Sequence, residues 1–328
     1  MINNSSLLYT IDNRIYRRNP FYTLKDNQNE GEKYSLDLED ETKYDADREC
    51  WFIKFSIPIF FYGKIIGAKG INRSKIERRF GCKIFIPEKD STSNEIEVIS
   101  KVSYENVERC KDAINEIVTE TRNKMPFSHF VSFSFRDNDK LQKKFTTFVN
   151  KAKDISGLEK EFFQLPNKLH ITLCMATLVD EMEEKVIIDC LKDVIDKMVK
   201  PLLGGNSIKI KIKGLSVMND DAKKANVLYG IIECPVLQNV GEEINDKLRK
   251  TGFCLDDKKD LKLHLTMINT TFLKGKEKKD KTFDGTKIIE KLNDFDFGEI
   301  ELSKITLNKR FSPEDDGSYT VIHEESLV

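Results

Sequence analysis

The sequence predicts an α+β protein in which an N-terminal arm precedes two folded domains. Three observations indicate this organisation: an acidic opening stretch, a short β–α–α–β–β–α series from residue 51, and a longer alternation of strands and helices that runs to the C-terminus. A length of 328 residues is enough for two domains of ordinary size. We therefore divide the chain into residues 1–50, 51–121 and 122–328.

The composition excludes several classes of protein. Charged residues make up 33% of the chain but the net charge is −1, so the overall charge identifies no partner. The seven cysteines form no C-x-x-C motif, which argues against a disulfide framework and against a zinc site of the usual spacing. The sequence contains neither a signal-peptide pattern nor an apolar stretch of about 18 residues. We expect an intracellular protein with reduced cysteines, no membrane span, no metal and no cofactor.

The arm, residues 1–50, is polar and lacks sustained periodicity. Between residues 31 and 50 it contains eight acidic residues against three basic ones. Such a composition predicts an acidic arm that is extended or partly disordered. It is either an ordinary solvated tail or a docking segment for a protein partner.

The predicted elements of the second segment, 51–121, are short and regular. "WFIKFSIPIFF" is rich in aromatic and β-branched residues and predicts a strand. A first helix ends at the glycine turn of "IIGAKG", and "INRSKIERRF" predicts a second helix with Ile71, Ile76 and Phe80 on one face, ended by Gly81. "CKIFIP" and "NEIEVIS" predict two strands, and Ser103 is placed to cap a closing amphipathic helix.

The glycine turn predicts a site for a polyanion. Gly67 and Gly70 permit positive φ and close approach of the backbone to a phosphate, and the next helix presents free N–H groups at its N-terminus. Residues 64–83 contain seven basic residues and one acidic residue, a local excess inside a nearly neutral chain. The candidate binding residues are Lys64, Gly67, Ala68, Lys69, Gly70, Arg73 and Arg78.

This segment resembles a type I KH domain, whose G-x-x-G loop clamps about four nucleotides of single-stranded nucleic acid. The resemblance implies that Gly67, Ala68, Lys69 and Gly70 contact backbone phosphates. The ligand would be single-stranded RNA or single-stranded DNA, and the residues do not indicate a base preference. The alternative is a KH-like fold that serves only as a packing module.

Two near-identical pentapeptides dominate the third segment, "LHITL" at 169–173 and "LHLTM" at 263–267. Alternate residues of a strand share a face, so each histidine projects together with a threonine while the apolar neighbours enter the core. The two histidines, His170 and His264, are 94 positions apart, about half a domain. This spacing predicts two pseudo-symmetric lobes whose motifs face each other across a cleft. His129 and His323 lack the pattern and are interpreted as structural.

The rest of the third segment alternates between strands and helices. Strands are predicted at "HFVSFSF", "SIKIKIKGLSVM", "NVLYGIIEC", "GEIELSKITLNKR" and "SYTVIHE", and one long helix at "VDEMEEKVIIDCLKDVIDKMVKPLLGG". The lysine-rich stretch 273–285 interrupts this alternation. It is interpreted as a solvated loop, with a substrate gate as the alternative.

Two His–Thr pairs suit the cleavage of a phosphodiester. The reaction needs a base for the nucleophile and an acid for the leaving oxygen, and histidine can serve as either near neutral pH. Threonine hydroxyls can bind the non-bridging oxygens of the phosphate. Without a nearby group of acidic or cysteine ligands, two histidines would make a poor zinc site.

The third segment resembles the two-histidine phosphoesterase superfamily, whose mark is a pair of H-x-[ST]-hydrophobic motifs on strands of a bilobal α/β fold. The resemblance implies metal-independent action on 2′,3′-cyclic phosphates or on RNA ends. It implies that His170 and His264 are the acid and base, in an order left open, and that Thr172 and Thr266 bind phosphate.

The order of the two domains, with "GLSVMNDD" and "KANVLYG" between the motifs, resembles a family of nuclear cointegrator-complex subunits. That resemblance implies association with a helicase-containing complex linked to transcription and alkylation-damage repair. The leading hypothesis is an RNA-binding phosphodiesterase. The alternatives are a catalytically silent targeting subunit and a scaffold that recruits proteins through the arm and the KH surface.

Overall fold

A computed structural model describes residues 8–11, 14–17, 41–88, 95–219, 221–254, 261–273 and 282–328. The chain forms two compact units, Met1–Tyr34 and Ser35–Val328. In the first unit, β1 (Leu8–Ile11) and β2 (Arg14–Arg17) pair as an antiparallel hairpin, a regular element in the predicted arm. Residues 18–40, which include half of the acidic stretch, lie outside the described residues.

The second unit begins with a four-stranded antiparallel sheet covered by helices. Its strands are β3 (Lys43–Asp45), β4 (Cys50–Ser56), β5 (Lys83–Phe85) and β6 (Glu95–Ser100). Its helices are α1 (Tyr62–Ile66), α2 (Ile71–Phe80) and α3 (Tyr104–Asn123). The strand order is β3-β4-β6-β5, so the predicted β–α–α–β–β–α series is present with β3 added at one edge.

Sequence patterns account for most of this layer. Val107, Cys110 and Ile114 of α3 are buried, and the Ser103 hydroxyl accepts a hydrogen bond from the Asn106 N–H, as predicted for an N-cap. Of the predicted helical face, Ile76 is buried whereas Ile71 is 60% exposed. Ile71 is the first residue of α2, beside the glycine turn, whereas Ile76 lies one and a half turns further along and reaches the core.

An eight-stranded antiparallel sheet makes up the remainder of the second unit. Its strands are β7 (His129–Ser134), β8 (His170–Ala176), β9 (Ile208–Val217), β10 (Val227–Ile232), β11 (His264–Asn269), β12 (Asp296–Leu302), β13 (Lys304–Pro313) and β14 (Tyr319–Ser326). Its helices are α4 (Asp139–Ser156), α5 (Glu181–Val194), α6 (Lys200–Leu203), α7 (Pro235–Arg249) and α8 (Thr286–Leu292). The predicted long helix is interrupted by a π-helical turn at Ile195–Val199, directly before Pro201, which has no N–H to donate to the preceding turn.

The strand order β12-β9-β10-β11-β8-β7-β13-β14 divides this sheet into two halves of four strands that meet between β11 and β8. Each central strand follows a strand and a helix, as β7–α4–β8 in one half and β10–α7–β11 in the other. The predicted pseudo-symmetric, bilobal α+β arrangement is therefore confirmed. The two motif-bearing strands are direct neighbours, so their His and Thr side chains lie on one face of a continuous sheet.

Arg122 of α3 joins the four-stranded layer to the eight-stranded layer. Its buried guanidinium donates to the Glu183 carboxylate on α5, with Nη1 and Oε2 2.9 Å apart, and also to the Thr177 carbonyl. The same guanidinium carbon lies 5.0 Å from the ring centre of Phe61 and 4.9 Å from that of Phe253. A buried cation with a paired carboxylate and two aromatic faces fixes the joint between the two layers.

Within the described ranges, no helix is both long enough and apolar enough to cross a membrane.

Candidate active site

The register between β8 and β11 places the two H-x-T motifs side by side. Ile171 pairs with Leu265, and both are fully buried. In an antiparallel pair the neighbouring positions on either side must then face each other, so His170 lies across from Thr266 and Thr172 lies across from His264. We call His170, Thr172, His264 and Thr266 the His–Thr square. Neighbours across such a pair have Cβ atoms about 4.5–5.5 Å apart.

The two faces of these central strands have different surroundings. Leu173, on the Ile171 side, packs towards Gly241 of α7, where a Cβ would lie 3.4 Å from Leu173 Cδ2. The square occupies the opposite face, and its four side chains are partly exposed. A helix thus anchors one face in the core while the other face remains accessible to a ligand.

Both histidines are held in the same tautomer. Nδ1 of His170 lies 2.7 Å from the carbonyl oxygen of Lys168, and Nδ1 of His264 lies 2.7 Å from the carbonyl oxygen of Lys262. A carbonyl oxygen can only accept, so each Nδ1 carries a proton and donates. When each ring is neutral, Nε2 has a free lone pair. The carbonyl two residues before each histidine therefore orients its ring and leaves Nε2 for chemistry.

The His170 and His264 rings have different neighbours, but burial lowers the pKa of both. The His170 ring lies between those of Phe130 and Tyr319, with centres 4.9 Å and 5.5 Å away. Burial lowers the pKa of His170 to about 4, the Lys168 carbonyl opposes this, and His264 adds a smaller lowering effect. Burial also lowers the pKa of His264, and the Lys262 ammonium contributes in the same direction. Both rings are therefore neutral near pH 7 in the free protein.

The glycine loop of the four-stranded layer has a geometry of its own. Gly67 has φ of 71° and Gly70 has φ of 78°. A Cβ on Gly67 would lie 2.6 Å from Cγ of Asn72, whose side-chain amide donates to the Lys64 carbonyl over 2.9 Å. Glycine at 67 is thus required by the close approach of Asn72 as well as by the backbone conformation.

The predicted binding residues surround this loop. Lys64, Ala68 and Lys69 are exposed, and Lys69 is itself held at a positive φ of 52°. Arg78 is exposed and donates from Nε to the Ser74 carbonyl, whereas Arg73 is partly buried. The predicted site residues therefore fall into two groups, one on each layer of the second unit.

No group of three or more His, Cys, Asp or Glu side chains that could hold a metal ion occurs among the residues that the structure describes. His129 is buried with Nε2 3.3 Å from Glu184, and His323 Nε2 lies 3.0 Å from Glu325. Most of the lysine-rich stretch, residues 274–281, lies outside the described ranges.

Comparison with known families gives two matches. The family model of the AKAP7 2′5′ RNA ligase-like domain matches residues 127–327. The chain belongs to this family. The KH domain model matches residues 52–116. The prediction of a KH domain followed by a two-histidine phosphoesterase domain is confirmed.

Individual relatives have the same organisation or part of it. Activating signal cointegrator 1 complex subunit 1 of Mus musculus is 27% identical over 343 residues, covering 95% of this chain and 96% of the mouse protein. This similarity agrees with the resemblance to cointegrator-complex subunits. E. coli LigT complexed with 3′-AMP matches 62% of this chain and 98% of its own at 12% identity and a TM-score of 0.43. The protein TT0787 of Thermus thermophilus matches 61% and 97% at 14% identity and a TM-score of 0.41.

Four residues near the square of this RNA ligase-like domain were not predicted. The Lys168 ammonium lies 4.8 Å from the ring centre of Tyr319, and the Lys262 ammonium lies 5.0 Å from that of Tyr229. Tyr229 is in turn 5.4 Å from the His264 ring. A signal for the lysines was available, because the internal repeat extends to "KLHIT" and "KLHLT". The tyrosines have no such signal, since they occupy unrelated positions in the chain.

Proposed function

We propose that this protein is an RNA-binding, metal-independent phosphodiesterase that acts on RNA ends, with the KH domain capturing the strand and the His–Thr square cleaving it. One observation supports the chemistry above all others. The Ile171–Leu265 register brings two imidazoles and two hydroxyls onto one accessible face, and each imidazole has its Nε2 lone pair free. This is the donor and acceptor set that general acid–base cleavage of a phosphodiester requires.

On a 2′,3′-cyclic phosphate the reaction is a hydrolysis. One histidine takes a proton from water as the water oxygen attacks phosphorus, and the bond from phosphorus to one ribose oxygen breaks. The other histidine gives a proton to that departing oxygen. Thr172 and Thr266 donate to the non-bridging oxygens, which bear the charge of the transition state.

On a linear strand the nucleophile is the neighbouring 2′-hydroxyl. It loses its proton to one histidine and attacks the adjacent phosphorus, while the 5′-oxygen of the terminal nucleotide leaves with a proton from the other. The products are a terminal nucleoside and a strand with a cyclic phosphate. Repeated on successive ends, this step amounts to trimming from the 3′ end.

The environments of the two rings favour one assignment of roles. Burial between Phe130 and Tyr319 lowers the pKa of His170 to about 4, which keeps this ring neutral and available as the base. His264 is then the acid, since an approaching phosphate anion raises the pKa of an imidazole beside it. The binding of substrate would thus supply the protonated partner that the free protein lacks.

That neutrality also supports a second candidate function. If both histidines stay neutral when a ligand is bound, neither can give a proton to a leaving oxygen, and the threonine hydroxyls would hold a phosphorylated end without its being cleaved. The protein would then be a targeting subunit that binds RNA ends. In either case we propose a nuclear location and assembly with a helicase-containing cointegrator complex; the mouse relative is named as a subunit of a cointegrator complex.

A product assay on defined RNA ends separates the two functions. Strands ending in a 2′,3′-cyclic phosphate, a 3′-phosphate or a 3′-hydroxyl are incubated with the full chain, with and without EDTA. We expect turnover of at least one end, unaffected by the chelator. Activity abolished by EDTA contradicts the metal-independent mechanism, and tight binding without product establishes the targeting function instead.

A further inference from the structure

A lysine–tyrosine pair lies beside each histidine of the square. On one side, Lys168 Nζ is 4.8 Å from the ring centre of Tyr319, and that ring is 5.5 Å from the His170 ring. On the other side, Lys262 Nζ is 5.0 Å from the ring centre of Tyr229, and that ring is 5.4 Å from the His264 ring. A cation is therefore held at each end of the square by the same sequence of contacts.

The internal symmetry of the sheet does not explain this likeness. Tyr229 is on β10, directly across from Thr266. Tyr319 begins β14, at the far edge of the other half, where it pairs with Pro313 near the turn of the β13–β14 hairpin. Two unrelated parts of the chain thus supply an aromatic ring to equivalent lysines, which indicates a shared requirement for a positioned cation at both ends.

The His170 side also forms a small pocket. Its lining includes His170, Lys168, Arg136, Ser318 and Tyr319. Ser318 is only 1% exposed, and its hydroxyl lies beside the Asp316 carboxylate, whose pKa this contact lowers. The two cations of the lining, Lys168 and Arg136, match the charge of a phosphate.

The charge balance on the His264 side leads to the same ligand. The Lys262 ammonium lowers the pKa of His264, which hinders an imidazole that has to donate a proton. A phosphate bound to Lys262 would neutralise that charge and remove its lowering effect on the pKa of His264.

We propose that the Lys168 pocket and the Lys262–Tyr229 pair are subsites for the two phosphates that flank the scissile phosphate along a nucleic-acid strand. The substrate class is then an oligonucleotide, with mononucleotide cyclic phosphates as poor substrates. The proposal rests on the proposed function for the identity of the central phosphate. It adds the path of the strand, which runs along the square between Lys168 and Lys262.

Neutral backbone substitutions test each subsite separately. A short RNA with one scissile position is prepared with a methylphosphonate, which has one negative charge fewer, at either flanking position. In the wild-type chain we expect each substitution to lower kcat/KM about tenfold, the effect of losing one charged hydrogen bond. In Lys168→Gln, the methylphosphonate at one flanking position should cause no further loss of kcat/KM. In Lys262→Gln, the methylphosphonate at the opposite flanking position should cause no further loss. Lys185→Gln, an exposed lysine of α5, is the matched control and should retain both effects.

Two results would overturn the subsites. One is that both methylphosphonates remain as costly in the lysine variants as in the wild type. The other is that the lysine variants slow a cyclic mononucleotide as much as they slow the oligonucleotide, which would make the lysines supports for the histidines only.

A binding measurement keeps this test separate from the proposed function. If the wild type turns over none of these RNAs, the same set is titrated by fluorescence anisotropy against the full chain carrying Lys64→Ser and Lys69→Ser, which weakens the contribution of the KH loop. If the subsites exist, each lysine variant should remove the effect on Kd of the methylphosphonate at one flanking position, as predicted for kcat/KM. Equal losses at both positions in every variant would reject the subsites even for a protein that only binds.

Discussion

The KH loop and the His–Thr square, the two proposed phosphate sites, differ in their physical character. The loop presents backbone at positive φ and lysine side chains in water, with Asn72 packed where any larger residue at position 67 would have to sit. The square presents imidazoles and hydroxyls from two neighbouring strands, partly enclosed by aromatic rings. The first arrangement is suited to binding that depends on salt concentration and is independent of the base sequence of the nucleic acid. The second is suited to proton transfer that depends on pH.

The largest expected effect separates catalysis from capture. His170→Ala and His264→Ala should each lower turnover by about 10²–10⁴-fold, because each removes one of the two proton-transfer groups. Affinity for a long single strand should change little, since the KH loop is intact. Single-turnover rates and fluorescence anisotropy on the same RNA measure the two quantities. Turnover close to that of the wild type in either variant would contradict a shared site.

The next effect tests how much the Arg122–Glu183 ion pair between the two layers stabilises the fold. Arg122→Met leaves Glu183 buried without its cation and should lower the free energy of unfolding by about 3–5 kcal/mol. Arg122→Met combined with Glu183→Leu removes both charges and should cost clearly less. Denaturant unfolding gives both values. A single variant as stable as the wild type would show that the ion pair does not fix the joint.

The square should contribute to the pH dependence of stability, in contrast to the loop. The pKa of His170 is about 4 in the folded chain and about 6.5 when unfolded, so the unfolded state binds more protons between these values. The contribution of His170 is complete above pH 6.5 and is lost as the pH falls towards 4, by about 3 kcal/mol at most. His170→Asn should flatten this part of the stability profile. Lys69→Ser is the matched loop variant and should leave it unchanged.

The smallest effect belongs to the loop. Lys69→Ser and Arg78→Ser should each weaken RNA binding a few-fold and reduce the slope of log K against log salt by about 1. Turnover of a trinucleotide too short to reach the loop should stay the same. Lys153→Ser, on α4, serves as the charge-matched control. A salt slope equal to that of the wild type would instead favour the scaffold hypothesis for the KH surface.

Periodicity made the elements of both layers predictable, because alternation in "LHITL" and the helical spacing in α3 follow directly from burial on one face. The pairing of Ile171 with Leu265 was not predictable in this way, since register depends on contacts between strands 94 positions apart in sequence. The aromatic rings around His170 come from β7 and β14 and were missed for the same reason.

Other differences have local causes that sequence patterns describe poorly. β3 forms within the acidic stretch because its three residues pair by backbone hydrogen bonds with the edge of β4, which needs no apolar pattern. No pattern in the sequence predicted a role for Arg122. Its partners, Glu183 and Phe253, belong to the other layer, and only the folded chain brings them together.

Under the proposed function, the Arg122 joint would also affect how binding energy is used along a strand. Because the two layers are held together, a strand caught by the KH loop would reach the square as an intramolecular event, at an effective concentration set by the nucleotides between the two sites. Strands too short to span that gap gain nothing from capture, and longer slack strands gain progressively less. A buried arginine far from any reacting atom would thus determine which lengths of RNA this protein processes best.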